Sequence, residues 1–231
     1  YNGHKIGSCK FSDISTFSFH PVKPITTGEG GMITTNNNKI FKKLKLLRTH
    51  GIHRNPDQFI NKKMAFDELN QPNRWYYEMS HLGYNYRMTD IQAALGNSQL
   101  TKLEKFTKKR NEIAKYYIHK LKYNSLITLP VTKKNVLHSF HLFTILIDFK
   151  KIKKTRNQVM KELANFNIGS QVLYIPVYHQ PYYKKKYNYN PKNFPNSLKY
   201  YSEALSIPIF FELKKTEHDF IIKKINEIVN C

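Results

Sequence analysis

The residue of this sequence best placed for covalent chemistry is Lys23. It stands between Pro21 and Pro24, and prolines on both sides hold the local backbone extended and remove two hydrogen-bond donors. The aromatic and hydroxyl residues Thr16-Phe17-Ser18-Phe19-His20 precede it, and Ile25-Thr26-Thr27-Gly28-Glu29-Gly30-Gly31 follow. Desolvation on such a rigid, partly apolar turn favours the neutral amine that attacks an aldehyde. Spacing alone leaves a second reading open, a surface lysine in a proline-rich turn.

Other chemistry finds less support. His138 and His141 are three apart on an expected strand, so their side chains point to opposite faces. His50 and His53 share that spacing, but Gly51 between them argues against a helix that would align them. No cysteine pair or carboxylate completes a ligand set, so no metal site is expected. Gly28-Glu29-Gly30-Gly31 is too short for either glycine fingerprint of phosphate loops, and the β-branched residues after it offer no helix N-terminus. It reads as a hairpin turn needing positive φ. Asp67 and Glu68 are adjacent and would not face each other, and nothing suggests a glycosidase pair.

The 231 residues, 40% apolar and 14% aromatic, allow one or two domains with a real core. No apolar run approaches the ~18 residues of a membrane span. Two cysteines, Cys9 and Cys231, cannot make a disulfide framework. The sequence opens on Tyr1 with no basic-then-apolar leader, so a processed chain or a piece of a longer one is expected, in the cytoplasm. Net charge is +22, and residues 101–231 carry +16 of it. Such a bias points first to nucleic acid or an anionic surface. Yet only six of the 38 basic residues are Arg, the better residue for bidentate contacts to phosphate and bases. The lysines fit a solvated surface, and a sugar nucleotide with two phosphates would also gain from the field. Neither nucleic acid nor a membrane is an expected partner.

Two α/β parts are needed to position these residues. Residues 13–18 and 32–35 are short β-like runs around the turn-rich stretch 21–31, and 39–47 has helical spacing in Ile40, Leu44 and Leu47. Residues 53–75 read as a long loop. Thr89 can cap a helix in which Ile91, Leu95, Leu103, Phe106, Ile113, Tyr117 and Leu121 follow, running to about Lys122 with a soft interruption at Gly96. A helix of that length bridges domains, which puts the boundary near Phe106. The second part alternates: strand 139–148, helix 155–166, strand 170–175, helix 197–205 and a short strand 207–210. Thr216 opens a last helix with Asp219 at the capping-box position.

Several segments, in order, carry a resemblance. Residues 16–31, TFSFHPVKPITTGEGG, closely resemble the cofactor-lysine segment of the DegT/DnrJ/StrS family, the pyridoxal-phosphate-dependent sugar-nucleotide aminotransferases. Arg48-Thr49-His50-Gly51-Ile52 with Arg54 resembles that family's arginine–histidine–glycine turn. Residues 82–90, LGYNYRMTD, are similar to its subunit-crossing loop, and IQAALG to the helix after it. Residues 171–183, QVLYIPVYHQPYY, are similar to its small-domain substrate segment, and 202–208 to the serine–leucine–proline turn beyond. The resemblance spans nearly the whole chain. It implies an α/β fold, part of aminotransferase fold type I. The C-terminal part of the cofactor-binding large domain would occupy residues 1–105 and the small C-terminal α/β domain residues 106–231.

By that resemblance the chain belongs to an enzyme, an aminotransferase. Lys23 matches the catalytic lysine that carries pyridoxal 5'-phosphate, and Ser18 the hydroxyl that binds its phosphate. Asn85 matches an asparagine reaching the phosphate of the neighbouring subunit's cofactor, which implies a homodimer with shared sites. Tyr178, His179 and Arg54 match positions that contact the sugar nucleotide; an aromatic surface loop is the alternative for residues 174–183. SFHPVK together with RWYYEMSHLGYNYRMTD is most similar to members aminating carbon 4 of a UDP-linked 4-keto-6-deoxy-N-acetylhexosamine, with L-glutamate as donor, in pseudaminic acid biosynthesis. Another keto-sugar nucleotide, or a non-catalytic basic α/β binding module, are the alternatives. The family's acidic partner of the pyridine nitrogen, its ring-stacking aromatic and its second phosphate-binding turn lie ahead of the segment that Tyr1 to Ser8 resembles. The resemblance thus implies the C-terminal part of the family's protein and does not extend to activity of these residues alone.

Overall fold

The computed structural model describes residues 1–230, and Cys231 lies outside the described residues. In chain order the elements are β1 (Ile14–Ser18), β2 (Gly31–Thr35), α1 (Asn38–Arg48), β3 (Ile52–His53), α2 (Lys62–Ala65), β4 (Glu78–Met79) and α3 (Asp90–Leu100). Then follow α4 (Leu103–Leu121), β5 (Ile127–Thr128), β6 (Phe143–Ile147), α5 (Arg156–Asn165), α6 (Pro181–Tyr187), α7 (Pro195–Glu203), β7 (Ala204–Ile207) and α8 (Lys215–Asn230). They form two compact units, Tyr1–Thr101 and Lys102–Cys231.

In the first unit, β1 and β2 pair antiparallel from Ile14↔Thr35 to Ser18↔Gly31, which leaves residues 19–30 as their connecting loop. Cys9 packs beside this hairpin, its thiol 3.3 Å from the Thr34 carbonyl. The stretch read as a long loop folds around one buried ring: Phe59 sits 4.8 Å from Tyr76, 5.7 Å from His53 and 6.4 Å from Phe66. It is closed by a two-residue ladder, Ile52↔Met79 and His53↔Glu78. Otherwise the unit has little interior. Neither α1 nor α3 buries a residue, and Ile91 and Leu95 of the expected core stripe are 84% and 40% exposed.

The second unit has the larger core. Its sheet runs β5-β6-β7, antiparallel throughout. Phe143, Ile145 and Ile147 of β6 are fully buried and alternate with half-buried Thr144 and Leu146, so one face packs inward. Against it lie Ile113, Tyr117 and Leu121 of α4, Val159 and Leu163 of α5, and Ile221, Ile225 and Val229 of α8. Each such side chain contributes about 1.5–3 kcal/mol on leaving water. Arg110 of α4 is also buried there with no carboxylate partner among the described residues; its Nη1 donates to the carbonyls of Phe140 (3.1 Å), His141 (3.3 Å) and Ile209 (2.8 Å). Burial draws this guanidinium below its ordinary pKa.

Several elements differ from the sequence expectation, each for a local reason. The single helix to Lys122 is two helices, and the hydroxyl of Thr101, just past α3, donates back to the Ser98 carbonyl (2.8 Å). The expected strand 170–175 is a lone bridge between Gln171 and Ser206. The strand placed at 207–210 is β7, ending at Ile207 because Pro208 has no N–H to continue the ladder. At the start of α8, Glu217 rather than Asp219 reaches back, accepting from the Lys214 amide at 2.8 Å. Asp219 instead accepts from the Tyr116 hydroxyl and from Lys215 (3.3 Å).

His218, buried beside Tyr116 and Tyr117, is an acid-sensitive point of this unit. Burial pushes its pKa down to about 4; Asp219 pulls it up and Lys109 pushes it further down. The unfolded histidine, near 6.5, takes the proton first, so the native state is penalised as pH falls from about 6.5 to about 4 and keeps its full advantage above. Urea midpoints should fall across that window, and the fall should be shallower in His218→Gln.

Candidate active site

Lys23 sits, half-buried, on the loop that joins β1 to β2. The loop closes on itself through one carbonyl. Phe19 O accepts from the Thr27 amide (3.0 Å) and from the Thr26 hydroxyl (2.9 Å), while the Lys23 amide donates to His20 O (3.0 Å). The Phe19 amide in turn donates to Gly30 O (2.9 Å), which continues the hairpin one step past Ser18. Thr27, only 3% exposed, is the anchor, and its hydroxyl donates to Glu29 O (2.7 Å).

Helix α3 fastens this loop from outside. Thr89 and Gln92 form a capping box, and the two ends of the Gln92 amide do different work. Its Oε1 accepts from the Thr89 amide (3.0 Å), while Nε2 donates to Glu29 O (2.9 Å) on the lysine loop. One turn on, Gly96 faces the Thr27 methyl; a Cβ there would lie 2.9 Å from it. Gly96 is therefore not a soft break in the helix but the point where α3 touches the loop.

Ser18 ends β1 with its side chain exposed, and its Oγ accepts from the His20 amide at 3.4 Å. Asn85 lies on a second loop, hung on the end of α1 by backbone bonds. His50 N donates to Tyr84 O (2.8 Å), Tyr84 N to Leu47 O (2.7 Å) and Tyr86 N to Arg48 O (3.0 Å). The rings of Tyr84 and Tyr86 stack at 4.8 Å, so in this extended stretch Asn85 points the other way, exposed, accepting weakly from Arg87 Nε (3.4 Å). Close backbone contact makes the attachment possible. A Cβ on Gly51, whose φ is +70°, would meet His81 O at 1.8 Å, and one on Gly83 would meet Gly51 N at 2.1 Å.

Arg54 follows β3 and is exposed, its guanidinium 5.9 Å from the Tyr77 ring. Sequence reasoning did not single out the carboxylate of the neighbouring ladder. Glu78, opposite His53 in the ladder, accepts from the amides of Ile60 (2.8 Å) and Asn61 (2.8 Å) and from the Tyr76 hydroxyl (2.9 Å). Burial raises its pKa, but those donors outweigh burial and hold it below the ordinary carboxylate value. A glutamate placed opposite a strand histidine carries no spacing signal that could have flagged it.

Lys23 and Ser18 thus share one hairpin, and residues 85–92 run from the Asn85 loop to the contacts that hold it. Tyr178 and His179 belong to the second unit, on a 3-10 turn, Val177–His179. The Tyr178 ring stacks on Phe194 (4.7 Å, 16°), and its hydroxyl is buried with no partner among the described residues. His179 is exposed. Among the described residues no three His, Cys, Asp or Glu side chains gather into a possible metal site, and no helix is long and apolar enough to cross a membrane.

The donor set of the lysine hairpin fits two ends of pyridoxal phosphate: the Lys23 amine for the aldehyde, and the Ser18 hydroxyl for the phosphate. A carboxylate for the ring nitrogen is not part of it. Gly51→Ala should cost about 2 kcal/mol or more, since it adds both a left-handed backbone penalty and a clash with a carbonyl. Amide exchange at His50, Tyr84 and Tyr86 should accelerate with it; unchanged protection there would contradict the attachment described.

Comparison with known proteins agrees with this architecture. Residues 1–226 match the model of the DegT/DnrJ/EryC1/StrS aminotransferase family. UDP-4-amino-4,6-dideoxy-N-acetyl-beta-L-altrosamine transaminase of Campylobacter jejuni is 36% identical over 96% of this chain and 53% of its own length. The structure of Helicobacter pylori PseC, an aminotransferase involved in the biosynthesis of pseudoaminic acid, superposes with a TM-score of 0.84 at 30% identity, over 100% of this chain and 56% of that one. The sugar aminotransferase Spr1654 of Streptococcus pneumoniae, in its PLP form, gives 0.82 at 26% identity over 100% and 54%. The chain spans about half the length of the curated relatives it matches, 53% to 57% for three of them. With a family model covering all but its last few residues, the chain belongs to the DegT/DnrJ/EryC1/StrS aminotransferase family.

Proposed function

We propose that the protein containing this chain is a cytoplasmic, pyridoxal-phosphate-dependent transaminase. It acts on carbon 4 of a UDP-linked 4-keto-6-deoxy-N-acetylhexosamine, with L-glutamate as amino donor, and feeds pseudaminic acid biosynthesis. The observation that carries the reading is Lys23, a lone amine on a loop clamped at Phe19 O and pinned by Gln92, within the segment that resembles the family's cofactor-lysine segment. The named activity of the Campylobacter jejuni relative supports the choice of sugar.

When bound, pyridoxal phosphate supplies the electron sink that makes the donor's α-carbon acidic. Lys23 Nζ would bind its aldehyde, and Ser18 Oγ its phosphate. Asn85, exposed on a loop fixed by backbone bonds, would reach the phosphate in the partner subunit of a homodimer. As a free amine, Lys23 Nζ would serve as the base for the proton on the donor's α-carbon and then, carrying that proton, as the acid, a role worth ~10²–10⁴ in rate. Arg54, Tyr178 and His179 would orient the sugar nucleotide.

Borohydride reduction of the full-length protein loaded with pyridoxal phosphate, followed by peptide mass mapping, should place the label on the peptide carrying Lys23. Label on any other peptide would sink the assignment. Lys23→Ala should remove both the yellow colour and the exchange of amine.

A further inference from the structure

The proposed chemistry names a lysine but gives no part to the helix that touches its loop. Three contacts join the two: the Met88 methyl, which a Cβ on Gly30 would meet at 2.8 Å, the bond from Gln92 to Glu29 O, and Gly96 against Thr27. Of these the middle one is directional, and its geometry is forced. The Thr89 amide can only donate and Glu29 O can only accept, so Gln92 must turn Oε1 to the first and Nε2 to the second. Glu29 O already accepts from the buried Thr27 hydroxyl (2.7 Å), and Gln92 fills its remaining lone pair (2.9 Å). From there the bonds run inward. The Thr27 amide holds Phe19 O, next to Ser18, and the Lys23 amide hangs on His20 O, the following carbonyl.

The helix needs one end of this side chain and not the other. A glutamate would complete the capping box as well as a glutamine does, so the Nε2 donor serves the loop alone. We propose that Gln92 is a positioning residue for the transamination, holding Glu29 O so that the base of the Lys23 arm stays where Nζ can reach the donor's α-carbon. Lys23 is the reacting group, and Gln92 acts through it. The role rests on the transamination reading, since a pinned loop has this consequence only where Lys23 carries the proton. Misplacing a reacting group by about 1 Å can slow the chemical step ~10²-fold. The loss then falls on the maximal rate and not on donor affinity.

Two variants separate the ends. Gln92→Glu keeps the cap and sets an oxygen that repels Glu29 O in place of the donor; Gln92→Ala removes both. In the full-length protein without cofactor, amide hydrogen exchange should quicken at Lys23 and Thr27 in Gln92→Glu. The amides of α3 and the unfolding midpoint should stay as in wild type, whereas Gln92→Ala should also lower the midpoint. With pyridoxal phosphate bound, a single turnover with L-glutamate should bleach the yellow colour of Gln92→Glu about tenfold more slowly, at an unchanged half-saturating concentration. Wild-type exchange at Lys23 and Thr27 in Gln92→Glu, or an unaltered bleaching rate, would overturn the proposal. So would a loss confined to the half-saturating concentration, or a midpoint that falls as far in Gln92→Glu as in Gln92→Ala, which marks a structural role. A wild type that glutamate leaves yellow would sink the transamination reading and this role with it. A wild type that bleaches no faster than Gln92→Glu would sink this role alone.

Discussion

The first unit depends on two backbones being allowed to touch. Gly51 and Gly83 cross so closely that a single methyl on either would occupy the other segment's peptide. Without side chains at that crossing, the end of α1 and the loop through Asn85 can exchange three main-chain hydrogen bonds within five residues. A unit with almost no buried apolar surface cannot rely on packing to hold its loops. Directional bonds set the geometry instead, and they form only where the chains come within about 3 Å. Gly96 against Thr27 and the Gln92 amide on Glu29 O repeat the device around the lysine loop.

The second unit is built the other way. Its sheet face and three helices exclude water from a contiguous apolar core. Arg110 illustrates the balance: a charge in a dry interior is costly, but three carbonyl oxygens converge on one of its nitrogens. Those carbonyls lie in segments before β6 and after β7, so one side chain gathers strand ends far apart in sequence.

The parts of this organisation that are local were legible in the residues. The hairpin around Lys23, the Thr89 cap and the helix after Thr155 all show as alternation, a hydroxyl or a periodic stripe, and the structure has them at or near those positions. What escaped was set by distant partners. Gly96 reads as a helix weakness until Thr27 is found against it. Asp219 looks like a cap until the Tyr116 hydroxyl, a hundred residues away, takes it, leaving Glu217 for the helix end. The apolar stripe of α3 is present as read, yet Ile91 stays open, because periodicity names a face without saying what covers it. For the site, motif resemblance identified single side chains, whereas the clamp on the lysine loop, Gln92, is an ordinary residue type with no distinctive spacing.

One consequence follows for how an amine at Lys23 can move. Its own amide is tied to His20, the threonines after it are tied to Phe19, and the helix outside blocks the loop from lifting. The main chain is a fixed mount. Any travel that the nitrogen makes, toward a carbonyl or away from it, comes from rotation about the four methylenes of the arm, so the tether's length and torsions set its range of positions.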